Sequence, residues 1–233
     1  YGQLSEEASR MPVPQKPAVK QEERFKVLGI PTQRLDAPDK LNGTAVFGMD
    51  VYVQDMLFAI IVRPTTYGEN LFSYDKAAVQ KVPGIKHIFE IGSSVVLCAD
   101  SLAALAQGRK LLNVRWKGAA DPELNTRALN RTLVRRLKDN GVVVREDRRP
   151  REDSPSNLRK IQAVYTLPYL AHVTMEPMNC TAHVQQDRCD LWVPTQNQTA
   201  TRRVAAETAG LDPEQVRIYT TYLGGGLERK SVV

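Results

Sequence analysis

The stretch SVVLCADSLAALAQGRKLLNVRW, residues 94–116, decides the fold class because its apolar pattern changes period along the way. SVVLCAD is a short β-branched and apolar run, as expected of a strand. Asp100 or Ser101 can then cap a helix. The leucines of that helix recur at helical spacing: Leu102, Leu105 and Leu112. NVRW is again strand-like, so the order of strand, crossing helix and strand predicts a small α+β domain.

Three further strand-like runs precede this stretch: TAVFGMDVYV, MLFAIIVRP and IKHIFEI. Gly, Pro and Asp separate them, as is typical of strands joined by turns. We therefore predict one packed domain over residues 34–118. Residues 1–33 are rich in proline and charge, which favours an extended N-terminal strap over a neighbouring surface.

A second block begins near residue 157, and most of its length also predicts strands. These are IQAVYTLPYLAHVTM, CTAHVQ and DLWVPTQ, followed after a helix by QVRIYTTYL. The helix QTATRRVAAETAG is predicted to begin at a Thr199 cap and to end at Gly210. The last strand leads into the closing stretch LGGGLERK. A glycine turn after a strand can bring backbone N–H groups to an anion, but three glycines are also typical of a flexible turn.

The composition is that of an ordinary soluble globular protein, with 233 residues, 42% of them hydrophobic and 25% charged. No window holds about 18 uninterrupted apolar residues, so we expect no membrane span. The first residues contain neither an initiator methionine nor a signal segment. We expect the chain to be a piece of a longer polypeptide.

The net charge of +6 is concentrated between residues 127 and 160, where eleven Lys or Arg stand against five Asp or Glu. This range begins with an amphipathic helix and continues into the charged, proline-containing run REDRRPREDSPS. We predict a basic helix and an exposed linker over residues 119–156. The range 127–160 contains no aromatic residue, so we do not expect nucleic-acid binding.

The three cysteines are too widely spaced for a metal-binding CxxC pair or a disulfide framework. The three histidines show no zinc-ligand spacing with them. Cys98 lies in an apolar run and Cys180 lies beside Met178, which favours buried thiols. We expect no metal ion to be held by side chains of this chain.

Four stretches, in this order, carry a resemblance to a known family: RLDAPDKLNGTAVFGMDV, HVTMEPMNCTAHV, WVPTQNQT and LGGGLERK. Together they resemble the large, molybdenum-cofactor-binding subunit of the xanthine dehydrogenase/aldehyde oxidase family. The forms MEPMNCTA and TQNQ are most similar to the isoquinoline 1-oxidoreductase β-subunit type found in bacteria. The resemblance implies an α+β fold, with an α/β hammerhead domain at residues 34–118. An incomplete cofactor-binding domain would follow at residues 157–233.

The resemblance also implies a cofactor-binding set within this chain. Gln196 would hydrogen-bond an oxygen ligand of the molybdenum, and Gly224, Gly225, Gly226 and Leu227 would pass beside the metal and the pterin. The logic is physical as well, since a neutral amide donates without adding charge, and glycines let the main chain approach closely. Metal ligands from the protein are not implied.

The chemistry implied by the resemblance is hydroxylation of N-heterocycles or aldehydes, with water as the oxygen source and molybdopterin, in its cytosine dinucleotide form, as the cofactor. Electrons would leave to a small [2Fe–2S] subunit, and a cytochrome c is a further candidate partner. The base glutamate of the family lies far downstream, so we expect no catalytic residue here, and we assign Glu176 a structural role beside the pocket. Periplasmic and cytoplasmic locations both stay open.

Three positions depart from the family pattern. Leu227 stands where phenylalanine is usual, and Glu228 stands where glycine is usual, bringing a side chain and a negative charge to the turn. Ser231 replaces the carboxylate of purine-oxidising members, which argues against a xanthine-type substrate.

Two hypotheses remain open: a fragment of a molybdenum hydroxylase large subunit, and a non-catalytic module for assembly or docking, or the relic of a truncated gene. We expect the isolated chain to bind no cofactor tightly. With no downstream residue to hold it, the glycine turn is expected to fray at the chain end.

Overall fold

A computed structural model of the chain describes residues 2–118, 125–145, 159 and 161–231. The chain divides into two compact units, residues 1–47 and residues 48–233. Residues 119–124 and 146–156 of the predicted linker lie outside the described residues. The domain boundaries expected at residues 34, 119 and 157 stay predictions.

The first unit contains two short helices, α1 (Ser5–Arg10) and α2 (Ala37–Asn42), and neither has a buried residue. Residues 2–33 are exposed except for the half-buried Phe25. Before α2, Asp36 accepts hydrogen bonds from Arg34 and Lys40. The hydrogen bond from Arg34 is the largest influence that lowers the pKa of Asp36.

The second unit begins with strands and helices, two of which the sequence did not predict: the strand Asn70–Ser73 and the helix Lys76–Gln80. The elements are β1 (Phe58–Val62), β2 (Asn70–Ser73), α3 (Lys76–Gln80), β3 (Ile85–Ile91), β4 (Ser94–Ala99), α4 (Leu102–Leu111) and β5 (Arg115–Lys117). An antiparallel sheet has the order β1-β4-β3, and β2 pairs with β5 in a second, two-stranded sheet. These elements confirm the strand–helix–strand reading of residues 94–116.

One apolar cluster holds these elements together. Alternate residues of β4 point to the same face and are fully buried, and they pack with residues of α3 and α4. The Ser101 hydroxyl accepts the N–H of Ala104 and so caps α4, as one of the two predicted caps. The cluster consists of Val79, Val95, Leu97, Ala99, Ala104, Leu105 and Leu112.

The strand predicted over TAVFGMDVYV is wrong. Within the second unit its residues form a 3-10 turn, Gly48–Asp50, and no strand. A Cβ on Gly48 would lie 2.4 Å from Asn179 Oδ1 and 2.7 Å from Pro194 Cδ. Close packing against these loop residues, rather than a strand ladder, determines the local backbone.

Helix α5 (Thr126–Arg136) confirms the predicted basic helix. The Asn125 side chain caps it by accepting the N–H of Ala128, and the helix contains no buried residue. Its basic residues are exposed to solvent.

The last part of the chain forms a mixed three-stranded sheet around one helix. It contains β6 (Thr181–Val184), β7 (Cys189–Val193), α6 (Gln198–Ala209) and β8 (Val216–Thr220). β6 pairs with β7 antiparallel, and β8 pairs with β7 in parallel after the crossing helix α6. Cys189, Ala206 and Val216 form the buried centre of this layer.

Two predictions for this part need correction. Asn197, not Thr199, caps α6, because its side chain accepts the N–H of Ala200. The strand predicted over residues 161–175 is wrong, since residues 161–174 have no regular secondary structure. Their apolar side chains are exposed, and among the described residues no strand lies alongside to complete a ladder. The predicted end of α6 at Gly210 is confirmed by its φ of +68°.

Candidate functional site

The glycine turn follows β8 and has an unusual backbone. Gly225 has a φ of +98°, and the non-glycine residues Leu227 and Glu228 have φ values of +46° and +58°. Such values are strained for residues with a Cβ. The family pattern that resembles this stretch has glycine where Glu228 stands, and the backbone at that position suits glycine. The turn therefore keeps a left-handed geometry despite the substitution.

Glu176 joins the glycine turn to the TMEP segment through both its backbone and its side chain. Its N–H donates to the Gly224 carbonyl at 2.8 Å. Its Oε2 accepts the Gly224 N–H at 2.9 Å, and its Oε1 accepts the Met49 N–H at 3.2 Å. A Cβ on Gly224 would lie 2.4 Å from the Glu176 Cβ, so this contact requires glycine.

Lys230 completes this network from the far side of the turn. Its Nζ lies 2.5 Å from Glu176 Oε2, and the two side chains are only 3% and 6% exposed. Its carbonyl accepts the Gln196 N–H at 2.9 Å and the Thr195 hydroxyl at 3.2 Å. We call the buried pair of Glu176 and Lys230 the latch. The expectation that no downstream residue holds the turn is wrong, because Lys230 does.

The latch determines the ionisation of Glu176. Burial by itself would raise the pKa of this carboxyl group. The hydrogen bonds from Lys230, Gly224, Asn179 and Met49 outweigh it, so the pKa is lowered below its ordinary value. A carboxylate with so many donors has little capacity left to take a proton from a ligand. The geometry therefore agrees with the structural role expected for Glu176.

Gln196 lies against the third glycine of the turn. A Cβ on Gly226 would come within 2.8 Å of Gln196 Oε1 and 3.1 Å of its Nε2. The structure thus brings together Gln196 and the glycines that the sequence proposes as a binding set. The Leu227 side chain is 62% exposed.

The turn presents unused donors next to this amide. In the described ranges, the N–H groups of Gly225 and Gly226 donate to no protein acceptor. Adjacent N–H groups in a tight turn can bind anionic or oxygen-bearing ligands. Gln196, Gly225 and Gly226 therefore fit an oxygen-rich cofactor group. Glu228 is the exception, because its carboxylate oxygens each lie 3.4 Å from Gln196 Nε2.

The sequence did not single out Lys230 as part of the site. Arg229 and Lys230 are adjacent basic residues, and only the fold determines which of them is buried. An acidic residue in the short apolar and proline-containing segment around Glu176 was a usable signal, because a buried carboxylate requires a cation or donors.

The thiols differ from the sequence expectation. The sequence predicts that Cys98 and Cys180 are buried, but Cys180 is exposed and Cys98 is only half-buried. Cys189 is buried. Over the part of the chain that the structure describes, no three His, Cys, Asp or Glu side chains are grouped to hold a metal ion.

Comparisons with known proteins place this site within a recognised domain. Residues 153–231 match the family described as the molybdopterin cofactor-binding domain. The chain is 26% identical over 226 residues to isoquinoline 1-oxidoreductase subunit beta from Brevundimonas diminuta, covering 91% of the chain and 29% of that protein. It is also 26% identical over 242 residues to the aldehyde oxidoreductase molybdenum-binding subunit of Escherichia coli, covering 89% of the chain and 32% of the relative.

The fold also resembles that of a solved structure, quinoline 2-oxidoreductase from Pseudomonas putida 86. The TM-score is 0.59 at 15% sequence identity, over 84% of this chain and 30% of the other. The chain thus spans about a third of the length of the curated relatives it matches. These matches confirm the resemblance to molybdenum-binding large subunits and the α+β fold.

A bilayer-crossing helix is not found in the described ranges, where each helix is too short or too polar to span one.

Proposed function

We propose that this chain forms one wall of the molybdopterin site in the large subunit of a molybdenum hydroxylase. The observation that carries the proposal is the position of the Gln196 amide beside Gly226, where an added Cβ would lie 2.8 Å from Gln196 Oε1, inside the range that matches the cofactor-binding domain. A glutamine amide can donate to a ligand oxygen while remaining neutral. The glycine turn lets main-chain donors approach the same ligand.

Each residue of the site has a separate task in this proposal. Gln196 Nε2 and the N–H groups of Gly225 and Gly226 orient oxygen-bearing groups of the cofactor. Glu176 and Lys230 keep the turn in place without contacting the ligand. The bound cofactor supplies the redox chemistry of substrate hydroxylation. A base for proton transfer is expected from outside this chain, since Glu176 is occupied by its donors.

The substrate class follows from the relatives only as a proposal. One relative is named for isoquinoline and another for aldehydes, so we propose an aromatic N-heterocycle or an aldehyde. Ser231, standing where purine-oxidising members have a carboxylate, argues against a purine. We further propose the cytosine dinucleotide form of the cofactor.

Electron transfer is proposed to require other subunits. Both curated relatives are named as subunits, and no grouping of metal-binding side chains lies within the described part of this chain. We propose a small [2Fe–2S] subunit as the electron acceptor, with a cytochrome c as a second candidate partner.

The chain by itself is proposed to hold the cofactor only weakly. Its proposed contacts come from one side-chain amide and one turn, whereas tight binding of a large ligand normally needs burial on several sides. Metal analysis of the purified chain should find molybdenum well below one atom per chain. A stoichiometric content would contradict weak binding.

An amide-resolved NMR titration tests the site itself. The isotope-labelled chain is titrated with molybdopterin cofactor released anaerobically from another enzyme, in excess so that weak binding registers. We expect shifts at the Gly225 and Gly226 amides and at the Gln196 side chain. Gly92 is the matched control, because it too has a positive φ and has open space around it. Equal shifts at Gly92, or none at the turn, would overturn the proposed function.

A further inference from the structure

Glu228 places a carboxylate at the point where the glycine turn meets Gln196. Its two carboxylate oxygens are each 3.4 Å from Gln196 Nε2, so the negatively charged group faces the amide nitrogen symmetrically. Over the described part of the chain, no Lys or Arg lies within ion-pair distance of Glu228. The amide is therefore the polar group that this carboxylate faces.

The backbone around Glu228 is fixed on both sides, although its φ lies in a region that L-residues rarely adopt. Arg229 N–H donates to the Gly226 carbonyl at 2.8 Å, and Ser231 Oγ donates to the Glu228 carbonyl at 2.7 Å. Two residues after Glu228, the buried Lys230 side chain anchors the chain through its ion pair with Glu176. The direction in which the side chain leaves the turn is thus determined by the fold.

The side chain itself is free to change rotamer. Glu228 is exposed, and a distance of 3.4 Å is at the long end for a hydrogen bond. Exposed side chains change rotamer within nanoseconds. A ligand can therefore displace the carboxylate without rearranging the turn.

The carboxylate and an anionic ligand oxygen compete for the same amide. The amide nitrogen has two hydrogens, but a second negative oxygen bound there would lie a few ångströms from the first. At about 4 Å in water, repulsion between two such charges lowers affinity roughly five-fold.

We infer that the Glu228 carboxylate occupies the binding position at the Gln196 amide. The Glu228 side chain must change rotamer before an anionic oxygen of a ligand can bind to that amide. This inference rests on the proposed function, because the proposed cofactor is the ligand that brings the oxygen. While Glu228 occupies the amide, the site discriminates against oxyanions. The residue thereby regulates access to the one side-chain donor assigned to the cofactor.

The test compares the unchanged chain with Glu228→Gly, Glu228→Gln and the control Glu207→Gln. Glu207 is an exposed acidic residue of α6, so its substitution removes the same charge at a different place. The first measurement is the NMR resonance of the Gln196 side-chain amide. We expect both Glu228 variants to move it and Glu207→Gln to leave it unchanged. An unmoved resonance in Glu228→Gly overturns the inference and leaves the proposed function untouched.

The second measurement is a molybdate titration followed at the Gly225 and Gly226 amides. We expect Glu228→Gly to lower the Kd about three- to ten-fold. Glu228→Gln should have an intermediate effect, because it removes the charge and keeps the bulk. Equal binding by the unchanged chain and Glu228→Gly overturns the inference alone. Binding by neither contradicts the proposed function, and with it the inference.

Discussion

Two regions of the second unit, the sheet β1-β4-β3 and the glycine turn, are held together in opposite ways. The sheet β1-β4-β3 and its helices share a cluster of seven buried apolar side chains, whereas the glycine turn is held by a buried ion pair and main-chain hydrogen bonds. Apolar packing is spread over many contacts and is non-directional. The latch depends on two side chains placed 54 positions apart. Losing one group should therefore affect the two regions differently.

The largest effect is expected in the apolar cluster. Leu97 is fully buried at its centre, and Leu97→Ala should lower the free energy of unfolding by about 3–5 kcal/mol. Denaturant unfolding measures this loss. The control is Leu111→Ala, which alters a partly exposed leucine of α4 and should cost less than half as much. Equal losses would mean that the cluster is not the stabilising centre.

Lys230→Met tests the latch. Removing one partner of a buried pair leaves the other charge uncompensated and typically costs about 3 kcal/mol or more. The loss is smaller if the turn opens and lets water reach Glu176. In either case hydrogen exchange at the Gly224 amide should accelerate while that of β4 changes little.

Arg229→Met is the matched control for this substitution, since Arg229 is the exposed basic neighbour. It should leave exchange at Gly224 within two-fold of the unchanged chain, on the order expected for a surface change. Similar acceleration in both variants would show that the charge of the segment, and not the latch, orders the turn.

Acid should weaken the latch and not the apolar cluster. The pKa of Glu176 is lowered in the folded chain. The ionised Glu176 carboxylate therefore contributes fully to the free energy of unfolding at pH values above the pKa that it has in the unfolded chain. This contribution is lost as the pH falls through the folded pKa. We expect the unfolding free energy of the unchanged chain to fall more steeply below about pH 4.5 than that of Glu176→Gln. Parallel curves would contradict a role for Glu176 ionisation in stability.

The glycines of the turn should tolerate alanine unequally. In Gly224→Ala the new Cβ meets the Glu176 Cβ at 2.4 Å and its backbone nitrogen at 3.3 Å. This steric clash can be relieved only if the latch shifts, which should lower the free energy of unfolding by about 1–3 kcal/mol. In Gly226→Ala the Cβ meets the end of the flexible Gln196 side chain, which can move away at a cost below about 1 kcal/mol. Thermal unfolding of both variants checks the order, and a larger loss in Gly226→Ala would reverse it.

The smallest effect expected is at the cap of α6. Asn197→Ala removes the side chain that accepts the Ala200 N–H and should cost about 1 kcal/mol. Thr199→Ala, at the cap position predicted from the sequence, should stay within about 0.5 kcal/mol. Chemical denaturation of the pair decides between the two caps.

The sequence alone determined the elements whose pattern is local. Short β-branched and apolar runs located β1, β3 and β4 correctly, and helical spacing located α4, because an element that packs in a core needs apolar residues wherever it lies. The same reasoning failed for residues 161–174, where the pattern suits a strand but pairing depends on a distant neighbour. It also failed at the cap of α6, where Asn197 and Thr199 are both suitable residue types and geometry alone selects one.

The candidate site divides along the same line. The sequence, through its motifs, brought Gln196 and the three glycines forward as one set, and their residue types are explicable from what an oxygen-bearing ligand needs. Only the tertiary structure decided that Lys230, and not Arg229, is buried against Glu176, and that Glu228 faces Gln196. A side chain's residue type determines which bonds it can make. Which partner it reaches depends on how distant segments pack, and that information is absent from the local pattern.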